Sequence, residues 1–465
     1  MIEPLDNRPS QEVSEEPTLF GVPQGIKEKV SNALKAHDLK RVRTLVHQLH
    51  SADIADLFNR LGKENRSLLA ETLKENLLPE VLLEIDPALR SEILEVMSIK
   101  QIVCAVEQLE SDDAVELLED LDKELKIEIL KHLSASERTL YENVLAFPED
   151  SVGRIMQREM VCVPPFWSLD EVRSFIQKSD ELPNYFYDVF VVDARFHPVG
   201  IISLNQLVRH PGVTLVESVM DKDIHPFPAT ADQEEVSLAF RHYALMSTPI
   251  VSSSGRILGM ITVDDVVEVI EEEAQEDMLH MHKVHGESDF YSPIPTTAYW
   301  RIRWLLITLV NTLIASFVIS QFEASIQKIT ALSFLMTINA AMGGNSGMQV
   351  VTVVVRALAT RNLRAEDTWR AIRKELRVGF MVGGFCAVLL GGIATLWVQD
   401  YHLGLVLTTA LMANMVWAAF AGTLLPIVID HFGMDPAISA GPLLTTTTDV
   451  LGYSIFLGLA THFLM

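Results

Sequence analysis

The chain has 465 residues, of which 49% are hydrophobic, and a formal net charge of −25. The charge is uneven: residues before Pro293 carry a net of −27 and the remainder +2, so an acidic water-facing region precedes an apolar one. Such acidity speaks against nucleic acid as a partner and for cation attraction or plain solubility, and the scattered Cys104, Cys162 and Cys386, with no CxxC pair, fit a reducing compartment without a disulfide framework or a Cys zinc site.

Residues 1–24 are polar and acidic, lack the apolar stretch of a signal peptide, and are expected to be a disordered tail. A repeat of period 12 follows. Apolar residues recur at i, i+3, i+4 and i+7 as Val42, Leu45, Val46, Leu49, and again as Ile54, Leu57, Phe58, Leu61. Further copies begin at Leu78, Ile102 and Ala114, and weaker ones at Arg66, Arg90 and Lys126, where the first position is basic. Each unit predicts one short amphipathic helix plus a turn, and stacked units predict an all-α superhelical repeat over 25–150.

After Phe147-Pro148 the period changes. Strand-like runs at 187–192 and 199–204 are repeated at 248–251 and 257–266, about 58 residues on, in a β–turn–β–helix order. The order predicts two copies of one small α/β module, at 151–212 and 213–270. A connecting helix over 271–294 carries Glu271, Glu272, Glu273, Glu276 and Asp277. His280, His282 and His285 near its end have the spacing of a soft-metal site, but they read more simply as polar positions on the end of that acidic helix.

The last part, 295–465, reads as a five-helix α transmembrane domain. Apolar stretches of spanning length lie at about 304–322, 329–358, 378–398, 403–429 and 440–464. Seven basic residues occupy the loop from Arg356 to Arg377, and Arg301 and Arg303 precede the first span, whereas the opposite loops hold one. The positive-inside rule then places the acidic region and the N-terminus in the cytoplasm and the C-terminus outside. Gly343-Gly344-Asn345-Ser346-Gly347-Met348-Gln349 and Gly441-Pro442 are expected to break their helices, as ion-pathway linings do; close helix packing is the other reading. For Asn345 the two are evenly matched.

Asp449 is the only Asp, Glu, Lys or Arg between Pro436 and Met465, and it follows the four threonines Thr445 to Thr448. A carboxylate at membrane depth is costly unless it faces water, a partner or an ion. Its all-oxygen surroundings suit a hard cation such as Mg²⁺; a structural Asp paired within a helix bundle is the competing reading. No Walker-A motif, nucleophile elbow or HExxH occurs, so an enzyme is not expected. A membrane-anchored sensor that does not conduct is the alternative function, but it leaves Asp449 and Asn345 without a role.

With Val152-Gly153-Arg154-Ile155-Met156, Thr262-Val263-Asp264-Asp265-Val266, Gly343-Gly344-Asn345, Arg356-Ala357-Leu358-Ala359-Thr360-Arg361, and Asp435-Pro436 with Thr448-Asp449, the chain resembles the MgtE family of Mg²⁺ channels from about Ser31 to its end. The modules then look like a tandem CBS pair and the acidic helix like the family's plug helix. The resemblance implies a homodimer in the lipid of the cell (inner) membrane. Its passive, gated pore would pass Asp449, and Asn345 with less weight, and an internal Mg²⁺ sensor would close it. Mg²⁺ is both cargo and regulator, and discrimination against Mn²⁺ or Co²⁺ stays open. The sensor residues carried over are Asp265, Glu268, Glu273, Glu276, Asp277 and Glu234. Departures from the family pattern are Lys100 and Cys104 where an Asp pair is expected on a repeat helix, Ala244 after Tyr243, and Met348 in the Gly-Gly-Asn motif. Gln206 stands in place of a ribose-binding Asp, so ATP is not expected at the first module.

Overall fold

The structure is a computed structural model and describes residues 21–74, 77–179, 182–183, 185–281, 294–361, 363 and 367–465. The expected tail falls, up to residue 20, outside the described residues. Contacts divide the chain into two units, Met1–Ile270 and Glu271–Met465.

The first unit opens with ten helices, from α1 (Gln24–Lys35) to α10 (Ala135–Val144). The period of 12 is visible in their starts: α2 (Leu39–Val46), α3 (Ser51–Arg60) and α4 (Lys63–Leu73), then α6 (Pro87–Leu94), α7 (Ile99–Gln108), α8 (Ser111–Glu119) and α9 (Lys123–His132). Each turns its apolar stripe into one shared core, with Val42, Phe58, Leu82, Ile102 and Leu117 inaccessible or nearly so. The basic residues that open the weaker copies are part of this packing. Arg66 donates to the carbonyls of Phe58 and Leu61 at the end of α3, and Arg90 to those of Leu83 and Ile85. Lys126 reaches Glu119 O in the same way. A helix leaves its last carbonyls without intrahelical donors, and these cations satisfy them from the following unit.

The two α/β modules have one topology. In the first, β1 (Cys162–Val163) pairs parallel with β2 (Asp188–Val192), which pairs antiparallel with β3 (Pro198–Ser203). In the second, β4 (Phe227–Pro228), β5 (Ser247–Val251) and β6 (Ile257–Thr262) repeat that order. Ser203 and Gln206 make a capping box at the start of α12 (Leu204–Arg209). Thr262 and Asp265 occupy the matching place on the long helix α15 (Val263–Met281). Gln206 and Asp265 thus make the same local cap in the two modules.

The second unit holds α16 (Ile294–Ser320), the short α17 (Glu323–Lys328), and α18 (Ala331–Ala359), α19 (Thr368–Val398), α20 (Tyr401–His431) and α21 (Pro436–Leu464). Five long helices thus occupy the expected places. By length and composition α16, α19, α20 and α21 are apolar enough to cross a membrane. In α18 the polar middle, Asn345 to Gln349, dilutes the hydropathy. Helix α20 packs against α18, α19 and α21, while α16 touches the others chiefly through α21.

The expected helix breaks are absent. Helix α18 runs unbroken through Gly343–Gly347, and α21 through Gly441-Pro442. The glycines serve contact instead: a Cβ on Gly347 would lie 2.8 Å from a methyl of Leu444, so the glycine gives that side chain of α21 its place against α18.

Candidate functional site: a membrane carboxylate and a face of crowded acids

Asp435 N-caps α21, its carboxylate accepting from Ala437 N at 2.7 Å with Pro436 in the first turn, as the sequence predicts. Three turns on come the threonines. Thr445 donates to Gly441 O at 3.0 Å, Thr446 to Pro442 O at 2.8 Å, and Thr447 and Thr448 to Leu444 O. Their hydroxyl protons are thus turned into their own helix, leaving oxygen lone pairs as what they offer outward. The carbonyl of Gly441 is not freed for an ion, since Thr445 takes it. The helical donor that Pro442 lacks is missing instead at Ile438, one turn back.

Asp449 follows, half-buried, next to fully buried Thr448. Thr448 faces Gly344 of α18, with its Oγ1 4.0 Å from the place of a Cβ there. Asn345, the neighbour of Gly344, is exposed on α18. Met348 fills the space beside Gly441, its Cε 3.3 Å from where a Cβ would stand. Two buried amides that sequence reasoning passed over, Asn339 and Asn414, are fully inaccessible; polar residues inside apolar spans were the signal that could have found them.

The second group is in the first unit. Asp112 and Asp113 lie in the first turn of α8, and Asp265 in the first turn of α15. They face each other. Asp112 has an inaccessible Oδ1 with no hydrogen-bond partner, and its pKa is raised well above the usual carboxylate value by burial and by Asp265 and Asp113. Burial, Glu116, Glu110, Asp265 and Glu268 push Asp113 to about 7. Asp265 is raised as well, by burial, although Thr262 donates to it from N and Oγ1. The surrounding frame is fixed: Ser111 donates to Glu159, Arg158 N to Ser111, and Gln157 pairs with Glu110. Arg154 pairs with Glu119 and donates to Phe147 O, while Val152 and Gly153 hydrogen-bond Ala231 and Ala229 of the second module.

The acids on a repeat helix that face the second module are therefore on α8. Lys100 and Cys104, the positions matched from sequence, lie one helix earlier on α7, where Cys104 accepts from Gln108. Glu234 opens α14 (Gln233–Tyr243), apart from that face in the chain, and Ala244 ends the helix with a left-handed φ of 53°.

Among the plug acids, Glu273 and Asp277 are half-buried and Glu276 exposed. Burial and Asp435 raise the pKa of Asp277. Buried His280 lies 3.4 Å from Glu276 and 3.2 Å from Asp435, so the end of α15 is tied to the cap of α21. His282 and His285 lie outside the described residues. Among the described residues no three His, Cys, Asp or Glu converge closely enough to hold a metal ion as they stand.

Chemically, the α8–α15 face is a set of anions that repel when ionised and that a divalent cation would relieve. Asp449 is a single anion that follows a run of four threonines in its helix.

Three family models match successive parts of the chain. A model described as divalent cation transporter, MgtE, matches residues 336–459, one for the MgtE intracellular N domain residues 49–150, and one for the CBS domain residues 152–212 and 216–272. The magnesium transporter MgtE of Thermus thermophilus is 30% identical over 436 residues, 93% of this chain and 97% of its own length. That of Bacillus subtilis is 28% identical over 435 residues, 93% of this chain and 96% of its own. The cytosolic domain of the Mg²⁺ channel MgtE solved in complex with ATP aligns with 52% of this chain and 99% of its own, at 26% identity and a TM-score of 0.49.

Proposed function

The chain belongs to the MgtE family of magnesium transporters, and from that premise we propose that it is a passive, gated Mg²⁺ channel whose path runs past Asp449 and whose acidic region is an internal Mg²⁺ sensor. The observation that carries the conducting part is Asp449 itself: one carboxylate in an apolar helix, unaccompanied by any Lys or Arg of α21 and preceded by four threonines whose hydroxyl protons turn into the helix. Mg²⁺ dehydrates reluctantly and keeps several waters, so a carboxylate and hydroxyls suit it as holders of its hydration shell. A single Asp per chain makes a paired site only across two copies, which supports a homodimer with Asp449 facing its equivalent. The basic loop around Arg356–Arg377 supports a cytoplasmic acidic region. The chain has no phosphate-binding loop to couple flow to nucleotide hydrolysis.

The sensor reading is supported by the raised Asp112, Asp113 and Asp265. With little Mg²⁺ these acids repel and favour separation of α8 from α15; with Mg²⁺ bound between them the compact arrangement is favoured. Glu268 lies with these acids, and Glu234 and the plug acids Glu273, Glu276 and Asp277 are further ligand candidates. Movement of α15 reaches the pore helix through the His280–Asp435 contact.

The test is Mg²⁺ uptake into proteoliposomes at low internal Mg²⁺, comparing the protein with Asp449→Ala. Loss of uptake in a folded variant supports the reading; equal uptake places the ion path elsewhere.

A further inference from the structure

Asn339 on α18 and Asn414 on α20 are both fully buried where α18, α20 and α21 meet. Asn414 Nδ2 donates to the main-chain oxygen of Asn339 at 2.9 Å, and Asn339 Nδ2 donates to Gly452 O of α21 at 2.7 Å. Two bonds thus run in series from α20 through α18 to α21 and end three residues after Asp449. The fit is tight on both sides of the Asn414 amide. A Cβ on Gly452 would stand 2.7 Å from its Nδ2 and 3.4 Å from that of Asn339, and one on Gly343 would overlap the Asn414 amide.

The pair is poorly rewarded by its own bonding. Asn339 Oδ1 and Asn414 Oδ1 are both buried without a hydrogen-bond partner, and such orphaned oxygens weaken a fold that an apolar side chain would fill at no such cost. What the arrangement does provide is a fixed rotation and height for α21 at Gly452. Asp449 precedes Gly452 by three residues, less than one helical turn, so its carboxylate moves with that anchor. Asn311 of α16 donates to Pro442 O at 3.4 Å on the other side of the threonines, so the stretch between is held at both ends.

We propose that Asn339 and Asn414 are positioning residues for the ion path, which set the spacing of the Asp449 carboxylate and thereby the preference of the pore among divalent cations. This rests on the reading of Asp449 as the pore carboxylate. Mg²⁺ demands near-ideal octahedral geometry with oxygens at about 2.0–2.1 Å, whereas Ca²⁺ accepts 6–8 oxygens at about 2.3–2.6 Å in flexible arrangements. A carboxylate held in one place therefore favours the smaller, stricter ion and its ordered waters. A carboxylate released to wander loses that advantage while keeping its charge.

The test is the ratio of Mg²⁺ to Ca²⁺ uptake by proteoliposomes containing the full chain, with Asn339→Leu and Asn414→Leu each compared with the unaltered protein. Asn339→Leu severs the bond to Gly452 at similar volume, and the ratio is expected to fall on the order of fivefold, as misplacement of a binding group does. Asn414→Leu leaves that bond but removes its support, and a smaller fall in the same direction is expected. A loss confined to packing would lower both fluxes together. A ratio unchanged in either variant that folds overturns the proposal, whatever the total flux. Asp449→Ala separates the two claims. If it conducts normally, the pore reading itself fails; if it abolishes flux while the asparagine variants keep their ratio, only the positioning claim fails.

Discussion

In the soluble region a buried arginine has every donor engaged, and crowded carboxylates are left facing one another. In helix α21 the one carboxylate past the N-cap, Asp449, follows four threonines in an otherwise apolar stretch. Arg90 is 2% exposed, paired with Glu116 and Asp120 and bonded to two carbonyls. Asp112 is half-buried, with an inaccessible oxygen that has no hydrogen-bond partner. The contrast separates two uses of charge within one unit: Arg90 holds the fold, whereas Asp112, Asp113 and Asp265 crowd one another, which is the feature the proposed sensor rests on. Asp449 is placed with the second kind by the proposed reading of the pore.

That comparison can be broken first at Arg90. Removing the cation from a buried, fully bonded set leaves two carboxylates and helix-end carbonyls unpartnered, so Arg90→Met is expected to destabilise the repeat region by about 3–5 kcal/mol. Urea unfolding of the variant followed by circular dichroism measures this; a change under about 1 kcal/mol would mean that Arg90 is no more structural than a surface ion pair.

The acids are expected to respond in the opposite direction. Asp113 has a folded pKa near 7 against an ordinary 3.8, so the folded state holds its proton more tightly than the unfolded chain. Its ionisation penalty is absent below pH about 4, grows as pH rises, and is complete above about 7. Asp113→Asn should therefore stabilise the protein at pH 8 in the absence of Mg²⁺, by about 1–2 kcal/mol after allowance for solvent screening. It should have little effect at pH 4. Mg²⁺ and protons compete for the same oxygens, so the rise in Tm on adding Mg²⁺ should be larger at pH 8 than at pH 6. Thermal unfolding with and without Mg²⁺ checks both; a larger rise at pH 6 would remove these acids from the sensor.

A smaller effect sharpens the boundary between strain with a purpose and strain without one. Ala244 holds a left-handed φ at the end of α14, where an alanine costs about 1 kcal/mol and a glycine does not. Ala244→Gly should raise stability by about 0.5–1 kcal/mol and leave the Mg²⁺ response unchanged.

Much of this architecture was legible because it is periodic or local. The 12-residue spacing fixes the starts of α3, α4 and α6 to α9, strand runs recur about 58 residues apart, and Asp435-Pro436 caps α21 by chemistry contained in two residues. What escaped the sequence was set by contacts between distant segments. Glycine in an apolar helix serves a break or a close approach equally well, and only the Leu444 side chain beside Gly347 decides for approach. The pairing of α8 with α15 joins residues some 150 positions apart, so nothing in the local pattern brings Asp112 and Asp113 to Asp265. Arg66 and Arg90 looked like defects in an apolar pattern because the carbonyls they satisfy belong to preceding units. Asn339 and Asn414 each look unremarked in a span until the fold brings them together.

The central claim is a division of labour between Asp449, which the ion passes, and the α8–α15 acids, which read the ion. It is tested most directly by Mg²⁺ flux through proteoliposomes over a range of internal Mg²⁺, for the unaltered protein, Asp449→Ala, and the double variant Asp112→Asn, Asp113→Asn. The account predicts no flux through Asp449→Ala at any internal concentration. It predicts that the double variant, lacking both the repulsion that opens the α8–α15 face and the oxygens that bind Mg²⁺ there, loses most of its dependence on internal Mg²⁺. Flux through Asp449→Ala, together with closure of the double variant at the same internal Mg²⁺ as the unaltered protein, would contradict both halves of the account.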